Sequence, residues 1–325
     1  MANYERLDDN VVCIDTEQHR ANLAACYLIG SEHHYAFIEC GTSRSVPALL
    51  QVLVELGIST ADVDYVMPTH VHLDHAGGAG ALLRELPNAR LVVHPRGARH
   101  LIDPTKLIAG ATAVYGVDAV QEMYGEIVPV PEGRVIVADV AADHDFWLAL
   151  GRRPLLLIDA PGHARHHYVV WDAASRGWFS GDSFGISYRE FDCSVCGHYL
   201  IPTTTPVDFD PEAWNATLDR MLARTPACIY LTHYGRVGDV QMLGRQLRAG
   251  IAAYARIARA HAGDGDRHAA LVAALLEYHL RQFHDLRHPM PQARAEALLK
   301  MDVELNAQGL EVWMDRQDRA ARAVA

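Results

Sequence analysis

The chain lacks any uninterrupted run of the about 18 apolar residues that would suggest a membrane span. Its opening residues, MANYERLDDN, hold neither the basic cluster nor the apolar stretch of an export signal. The expectation is a cytoplasmic protein with no membrane partner. Positive charge is also short: 29 Lys and Arg face 40 Asp and Glu, for a net charge of -11 at pH 7. Nucleic-acid binding leans on clustered cations, so no nucleic-acid partner is expected. Cysteine is sparse. The six cysteines, Cys13, Cys26, Cys40, Cys193, Cys196 and Cys228, are scattered and stand mostly beside apolar residues. That suits reduced, buried thiols better than a disulfide framework. Nucleotide fingerprints are missing too. GGAG at 77–80 lacks the Gly-Lys-Ser/Thr ending of a phosphate loop, and no G-x-G-x-x-G follows a strand.

What is there suffices for a large core, since half of the 325 residues are hydrophobic. The first 40 residues carry short β-rich runs, VVCID, AACYLIG and YAFIEC, the last ending in ECGTS. SVPALLQVLVELG then has apolar residues at helical spacing and closes on Gly57, before VDYVMPTH, GALLRELPNA and RLVVHP continue as strand, helix and strand. Residues 97–153 read as an insertion plus several strands. PLLLIDAPGH, HHYVVWD and WFSGD read as further strands and turns, a helix is expected from about Pro211, and ACIYLTHYG is a strand. After Gly238 the texture becomes Ala, Leu and Arg rich with helical periodicity, predicting roughly three helices. The division expected is 1–238 for a catalytic domain and 239–325 for a helical extension, whose apolar faces fit a lid, a packed cap or a homodimer surface.

The densest chemistry lies in PTHVHLDHAGGAG, residues 68–80. His70 and His72 are two apart at the end of an extended run, where alternate side chains share a face, and Asp74 and His75 fall at the turn into a helix. Gly77 and Gly78 remove side-chain bulk where the backbone must pass close by. Three later segments agree with this motif: DAPGHARHH presents His163, WFSGDSFG presents Asp182 and IYLTHYG presents His233, each just past an apolar β run. Seven N or O ligands exceed the four that one tetrahedral zinc needs, so the count argues for two ions sharing a bridging carboxylate.

With these motifs in this order, residues 10–238 resemble the metallo-β-lactamase-fold hydrolase superfamily. The resemblance implies an α/β fold, an αββα four-layer sandwich with the metals at one edge of two mixed sheets and, here, a C-terminal helical extension. It implies that His70, His72 and His163 bind one metal, that Asp74, His75 and His233 bind the second, and that Asp182 bridges them. The secreted antibiotic-degrading branch carries an export signal and usually lacks the bridging aspartate, so a metabolic hydrolase of the hydroxyacylglutathione hydrolase or lactonase kind is implied instead. Lactonases place a tyrosine shortly after the bridging aspartate, and Tyr188 stands nearby. Hydroxyacylglutathione hydrolases grip glutathione with basic residues on C-terminal helices, where this chain has Arg245 and Arg248.

Two divalent ions about 3.5 Å apart lower the pKa of a bridging water towards neutrality, which supplies hydroxide at pH 7. In that scheme Asp74 is the catalytic residue, orienting the hydroxide and carrying its proton to the leaving group. The expected substrate is a small molecule with a lactone, ester or thioester bond; phosphodiesters rank lower on an acidic chain. Zinc is the first expectation for the metal, with iron or manganese as alternatives. The rival is an iron protein of the same fold, a persulfide dioxygenase or an oxygen-binding redox module, because an all-N/O ligand set also suits iron. In the flavodiiron type the second histidine of the motif is typically a carboxylate, and His72 departs from that. Among other features, His166 reads as a supporting residue, His261 and His268 as solvated, and Phe184, Tyr188 and Phe191 as either core or pocket lining. DCSVCGH reads as an ordinary loop, because one Cys-x-x-Cys without a second pair supplies too few ligands for a structural zinc.

Overall fold

The computed structural model describes residues 2–204 and 208–324. Its first compact unit comprises residues 1–160, 166–181 and 225–238. This unit holds two mixed sheets. One runs in spatial order β1 (Tyr4–Arg6), β2 (Val11–Asp15), β3 (Ala25–Ser31), β4 (His34–Ile38), β5 (Val63–Met67), β6 (Arg90–Val93), β7 (Val135–Val137). Its first four strands are antiparallel neighbours, and β4 to β7 pair in parallel. The other sheet contains β8 (Phe146–Leu150), β9 (Arg153–Asp159), β10 (Tyr168–Asp172), β11 (Gly177–Gly181), β12 (Cys228–Leu231) and β13 (Gly235–Val237), with only β11 and β12 parallel.

The near-continuous apolar runs of the sequence follow from burial on both faces of the first sheet. Along β2, Val12 and Ile14 face one core while Val11 and Cys13 face another. The same alternation recurs in β3, where Cys26 and Leu28 turn to the first and Tyr27 and Ile29 to the second. The first core is completed by α1 (Val46–Leu56), through Leu49, Val52 and Leu53, and by α3 (Ala79–Glu85), through Leu82 and Leu83. The second lies between the sheets, where Tyr27, Phe179 and Tyr230 meet with ring centroids 5.2 and 5.5 Å from Tyr27. As expected, α1 ends at Gly57.

One buried ion pair anchors the second sheet. Arg153, at the start of β9, donates through Nε to Asp172 Oδ1 at 2.8 Å and through Nη2 to Oδ2, and through Nη1 to the carbonyls of Asp9 and Gly30. Asp172 in turn accepts from the backbone of Ala174 and Ser175 and from the Ser175 hydroxyl. Burial works to raise the Asp172 pKa, but the hydrogen bonds and charge of Arg153, aided by Ser175, outweigh it and leave the carboxyl below its ordinary value.

The stretch 97–153 differs from expectation. Its first half is helical, with α4 (Ala98–Ile102), α5 (Thr105–Tyr115) and α6 (Val117–Tyr124) preceding β7 and β8. Gly110 and the weakly amphipathic composition of LIAGATAV hid α5, because the periodic signal depends on a sharp polar and apolar division.

The second unit comprises residues 161–165, 182–224 and 239–325. The helix α7 (Pro211–Ala223) begins at the expected proline, with the Asp210 side chain accepting from Ala213 N at 3.0 Å. The tail forms α8 (Val240–Ala260), α9 (Arg267–Asp285) and α10 (Gln292–Val324). Along α9 the buried stripe is Leu271, Leu275, His279 and Phe283, so a histidine occupies a core position. Tyr199 and Tyr254 each place a hydroxyl 2.7 Å from one of its ring nitrogens, and burial pushes its pKa down to about 3. The imidazole is neutral at physiological pH, one nitrogen donating and the other accepting. Asn306 of α10 accepts from Thr204 N at 2.6 Å, and Tyr188 donates to Asp302 at 2.9 Å. Phe184, Tyr188 and Phe191 are thus buried side chains, and Arg248 is engaged with Asn215 and Asp219. His261 and His268, read as solvated, pair with Asp264 and with Glu304 and Glu311 respectively.

Because Tyr188, Tyr199 and Thr204 bond to residues beyond Gly238, cutting the chain there is expected to disrupt residues 182–224 as well as to remove the tail. Limited proteolysis of the truncated protein should give early cleavage within 182–224, and a resistant segment would count against this.

Among the described residues, no helix is long and apolar enough to cross a membrane.

Candidate metal centre

The motif's backbone takes the expected form. β5 ends at Met67, and after an extended turn His72 stands at the N-terminal boundary of the short helix α2 (Leu73–Ala76), which carries Asp74 and His75. Gly78 is where the chain passes close to a neighbour: a Cβ there would lie 2.6 Å from the Thr42 carbonyl oxygen and 2.7 Å from that of Cys40. Any larger residue would push the motif off the ECGTS loop.

Within the first unit, Asp74 Oδ2 lies 3.4 Å from His75 Nε2 and 3.4 Å from His233 Nε2. One ligand atom from each of these three residues falls within 4.8 Å of the other two. The two rings are held from behind. His233 Nδ1 stands 2.7 Å from the Leu23 carbonyl oxygen, which can only accept, so Nδ1 carries the proton and Nε2 keeps its lone pair on the Asp74 side. His75 Nδ1 stands 3.0 Å from Glu39 Oε1, an arrangement that fixes the same tautomer. Burial works to raise the Asp74 pKa; when His75 and His233 are also protonated on Nε2, their charge and hydrogen bonds outweigh it and hold the carboxyl well below the usual carboxylate range.

His70 and His72 form a second convergence in the same unit, with His70 Nε2 only 2.7 Å from His72 Nδ1. Thr69 Oγ1 donates to Glu39 Oε1 at 2.6 Å and so receives His70 Nδ1–H at 3.0 Å, leaving the His70 lone pair on Nε2. His166 lies behind the motif, its Nδ1 3.5 Å from Val71 N, a supporting position as expected.

In the second unit, His163 Nε2 lies 3.4 Å from Asp182 Oδ2. The carbonyl and hydroxyl of Thr203 hold His163 Nδ1 at 3.2 and 2.8 Å, again leaving Nε2 as the nitrogen that bears the lone pair. The seven expected residues therefore fall into three groups: His70 with His72, Asp74 with His75 and His233, and His163 with Asp182.

Glu39 was not singled out from the sequence. It is buried at the end of β4 and takes donors from Thr69 N, Thr69 Oγ1, His75 Nδ1 and Thr232 Oγ1. The signal was present in YAFIEC, an acid just past an apolar run like every other candidate, but without a neighbouring ligand it read only as a strand end. A donor set of imidazole nitrogens and carboxylate oxygens, with the outer ring nitrogens tied to protein acceptors, fits a divalent transition ion. Glu39→Gln is expected to weaken metal affinity by about 10–100-fold by loosening His75 and Thr69 together. Competition with a chromogenic chelator measures this, and an unchanged affinity would show Glu39 to be only a packing residue.

The family model of the metallo-beta-lactamase superfamily matches residues 20–233, and the chain belongs to that superfamily, whose members are mostly metal-dependent hydrolases. The metallo-beta-lactamase fold-containing protein ST1585 of Sulfurisphaera tokodaii is 29% identical over 219 residues, 66% of this chain and 74% of that protein. The crystal structure of ST1585, an archaeal metallo-beta-lactamase superfamily protein from Sulfolobus tokodaii, has a TM-score of 0.59 at 23% identity, covering 89% of this chain and 93% of that chain. N-acyl homoserine lactonase AttM of Azorhizobium caulinodans is 31% identical over 112 residues, 34% of this chain and 36% of that protein. The Flv1 flavodiiron core from Synechocystis sp. PCC6803 shares the fold at a TM-score of 0.56 and 16% identity, over 84% of this chain and 68% of that chain.

Proposed function

We propose that the protein is a dinuclear metal-dependent hydrolase acting on a lactone, ester or thioester of a small molecule. The observation that carries this reading is the Asp74, His75 and His233 trio, in which both imidazoles are set by protein acceptors to offer Nε2. In this reading His70, His72 and His163 hold one ion, Asp74, His75 and His233 hold the other, and Asp182 is shared. Bound divalent ions supply Lewis acidity for the acyl oxygen and bring the pKa of water towards neutrality. Asp74 orients the attacking water, takes its proton and delivers it to the leaving oxygen or sulfur. His75 and His233 hold their lone pairs in place through Glu39 and the Leu23 carbonyl, so that little reorganisation accompanies each turnover. The likeness to an N-acyl homoserine lactonase supports a carboxylic substrate.

The test is a panel of lactone, thioester, aryl-ester and phosphodiester substrates, run on protein of measured metal content. Turnover of carboxylic substrates with two ions per chain, lost on chelation and restored by metal, is the expected result. Turnover of phosphodiesters alone would overturn the substrate class, and saturation at one ion would overturn the dinuclear reading. The same donor set accepts iron. A purified protein with a visible absorption band and no hydrolysis would move the reading to redox chemistry.

A further inference from the structure

DCSVCGH folds into a small hairpin in the second unit. Cys193 and Gly197 exchange both backbone hydrogen bonds, N–H to carbonyl at 3.0 and 2.8 Å, and Gly197 takes a left-handed turn at φ 74° that a side chain would disfavour. The Cys196 N–H points at Cys193 Sγ, 3.1 Å away, and the two sulfurs are joined in a disulfide. This corrects the expectation of reduced, buried thiols for this pair; Cys13, Cys26, Cys40 and Cys228 are buried free thiols as expected. The bridged hairpin is also more than the ordinary loop expected of DCSVCGH. His288, in the turn between α9 and α10, places a ring nitrogen within 4.8 Å of both sulfurs. The neighbouring His198 instead has Nδ1 2.7 Å from Asp192 Oδ1.

We propose that Cys193, Cys196 and His288 form a separate, redox-gated site for a soft or borderline divalent ion, zinc by preference, in the helical unit. Two thiolates at Cys-x-x-Cys spacing with one imidazole are a zinc donor set, and a three-ligand site leaves the fourth position to solvent. The hairpin prepares the thiolate state, because a backbone N–H aimed at sulfur stabilises negative charge there. His288 is already oriented: Met290 N–H donates to Nδ1 at 3.2 Å, Nε2 donates to the Phe191 carbonyl at 3.0 Å, and the ring packs on Phe283. Ligation by either nitrogen exchanges one of those contacts for the ion. Val195 at the hairpin tip is 93% exposed, so a reductant and an ion can reach the site.

The gate balances as follows. A dithiol reductant gives two electrons and two protons to the Cys193–Cys196 bond, which becomes two thiols while the reductant becomes a disulfide. Zinc then displaces both thiol protons to solvent as two sulfur–zinc bonds form. The ion would tie the hairpin to the α9–α10 turn.

Cobalt(II) titration of the full chain, reduced and kept anaerobic, reads this site apart from the N/O ligands of the hydrolase centre, because only sulfur donors give a thiolate-to-cobalt charge-transfer band. The expected result is such a band in reduced protein, absent from oxidised protein and from the Cys193→Ser/Cys196→Ser variant, with one more ion per chain in the reduced form. His288→Gln should weaken cobalt binding at this band by roughly tenfold or more, having lost one of three protein ligands. No band in the reduced protein, or a band that survives in the double variant, would overturn the site. A band of equal strength in oxidised protein would overturn the gate. The reduced and oxidised wild-type comparison holds even where the double variant does not fold.

Discussion

Asp74→Asn is expected to lower kcat on the best carboxylic substrate by about 10²–10⁴-fold, the range for removing a positioned general acid or base. The amide keeps the shape of the carboxyl but loses the charge that faces both His75 Nε2 and His233 Nε2 at 3.4 Å. It also loses the ability to take up a proton. Because Asp74 is a proposed ligand as well, the variant must be assayed at saturating metal with its ion content measured alongside. A rate loss that persists at full occupancy identifies the proton-carrying role. A rate restored by metal alone leaves Asp74 as a ligand and nothing more. A variant with wild-type kcat and wild-type occupancy would refute both roles.

The second large effect falls on a pair outside the candidate site. Asp172→Asn leaves Arg153 buried with its charge uncompensated and is expected to cost about 3–5 kcal/mol of stability. The denaturation midpoint in urea measures it, and a midpoint equal to wild type would refute the assignment. Replacing both partners together, Arg153→Met with Asp172→Leu, should cost less than breaking the pair, since no lone charge stays behind. The pH dependence has a defined sign. The folded pKa of Asp172 lies below its unfolded value of about 3.9, so its stabilising contribution is fully present above that value. It fades as the pH falls below about 4 and through the folded pKa. Acid unfolding of the wild type should therefore steepen in that range, and Asp172→Asn should flatten it.

The candidate ligands were legible because each follows an apolar β run, and strand periodicity announces where such a run ends. His70, His72, Asp74, His75, His163, Asp182 and His233 all stand where that reading put them along the chain. Glu39 obeyed the same rule and escaped notice, since a lone acid carries no spacing to recognise. Helix α5 was hidden by composition. His288 was hidden by distance: no local pattern ties a histidine in an inter-helical turn to a Cys-x-x-Cys hairpin far upstream. The change of texture at Gly238 was plain, but the membership of residues 182–224 was not. Residues 182–204 have little periodicity of their own and take their order from partners supplied by the tail, Asp302 for Tyr188, His279 for Tyr199 and Asn306 for Thr204.

Those late partners impose a schedule on the newborn chain. Asp74 and His75 must wait for His233, and β12 and β13 close the second sheet only when residue 237 has been made. By then residues 182–224 have already been made, while the helices that will receive Tyr188, Tyr199 and Thr204 are still to come. At about 5–20 residues per second, the delay before the last of α10 emerges is on the order of ten seconds. Throughout it, aromatic side chains destined for the interior lack their companions. This interval is when the nascent protein offers most to a chaperone, and when a ribosomal pause placed after Gly238 would be most costly.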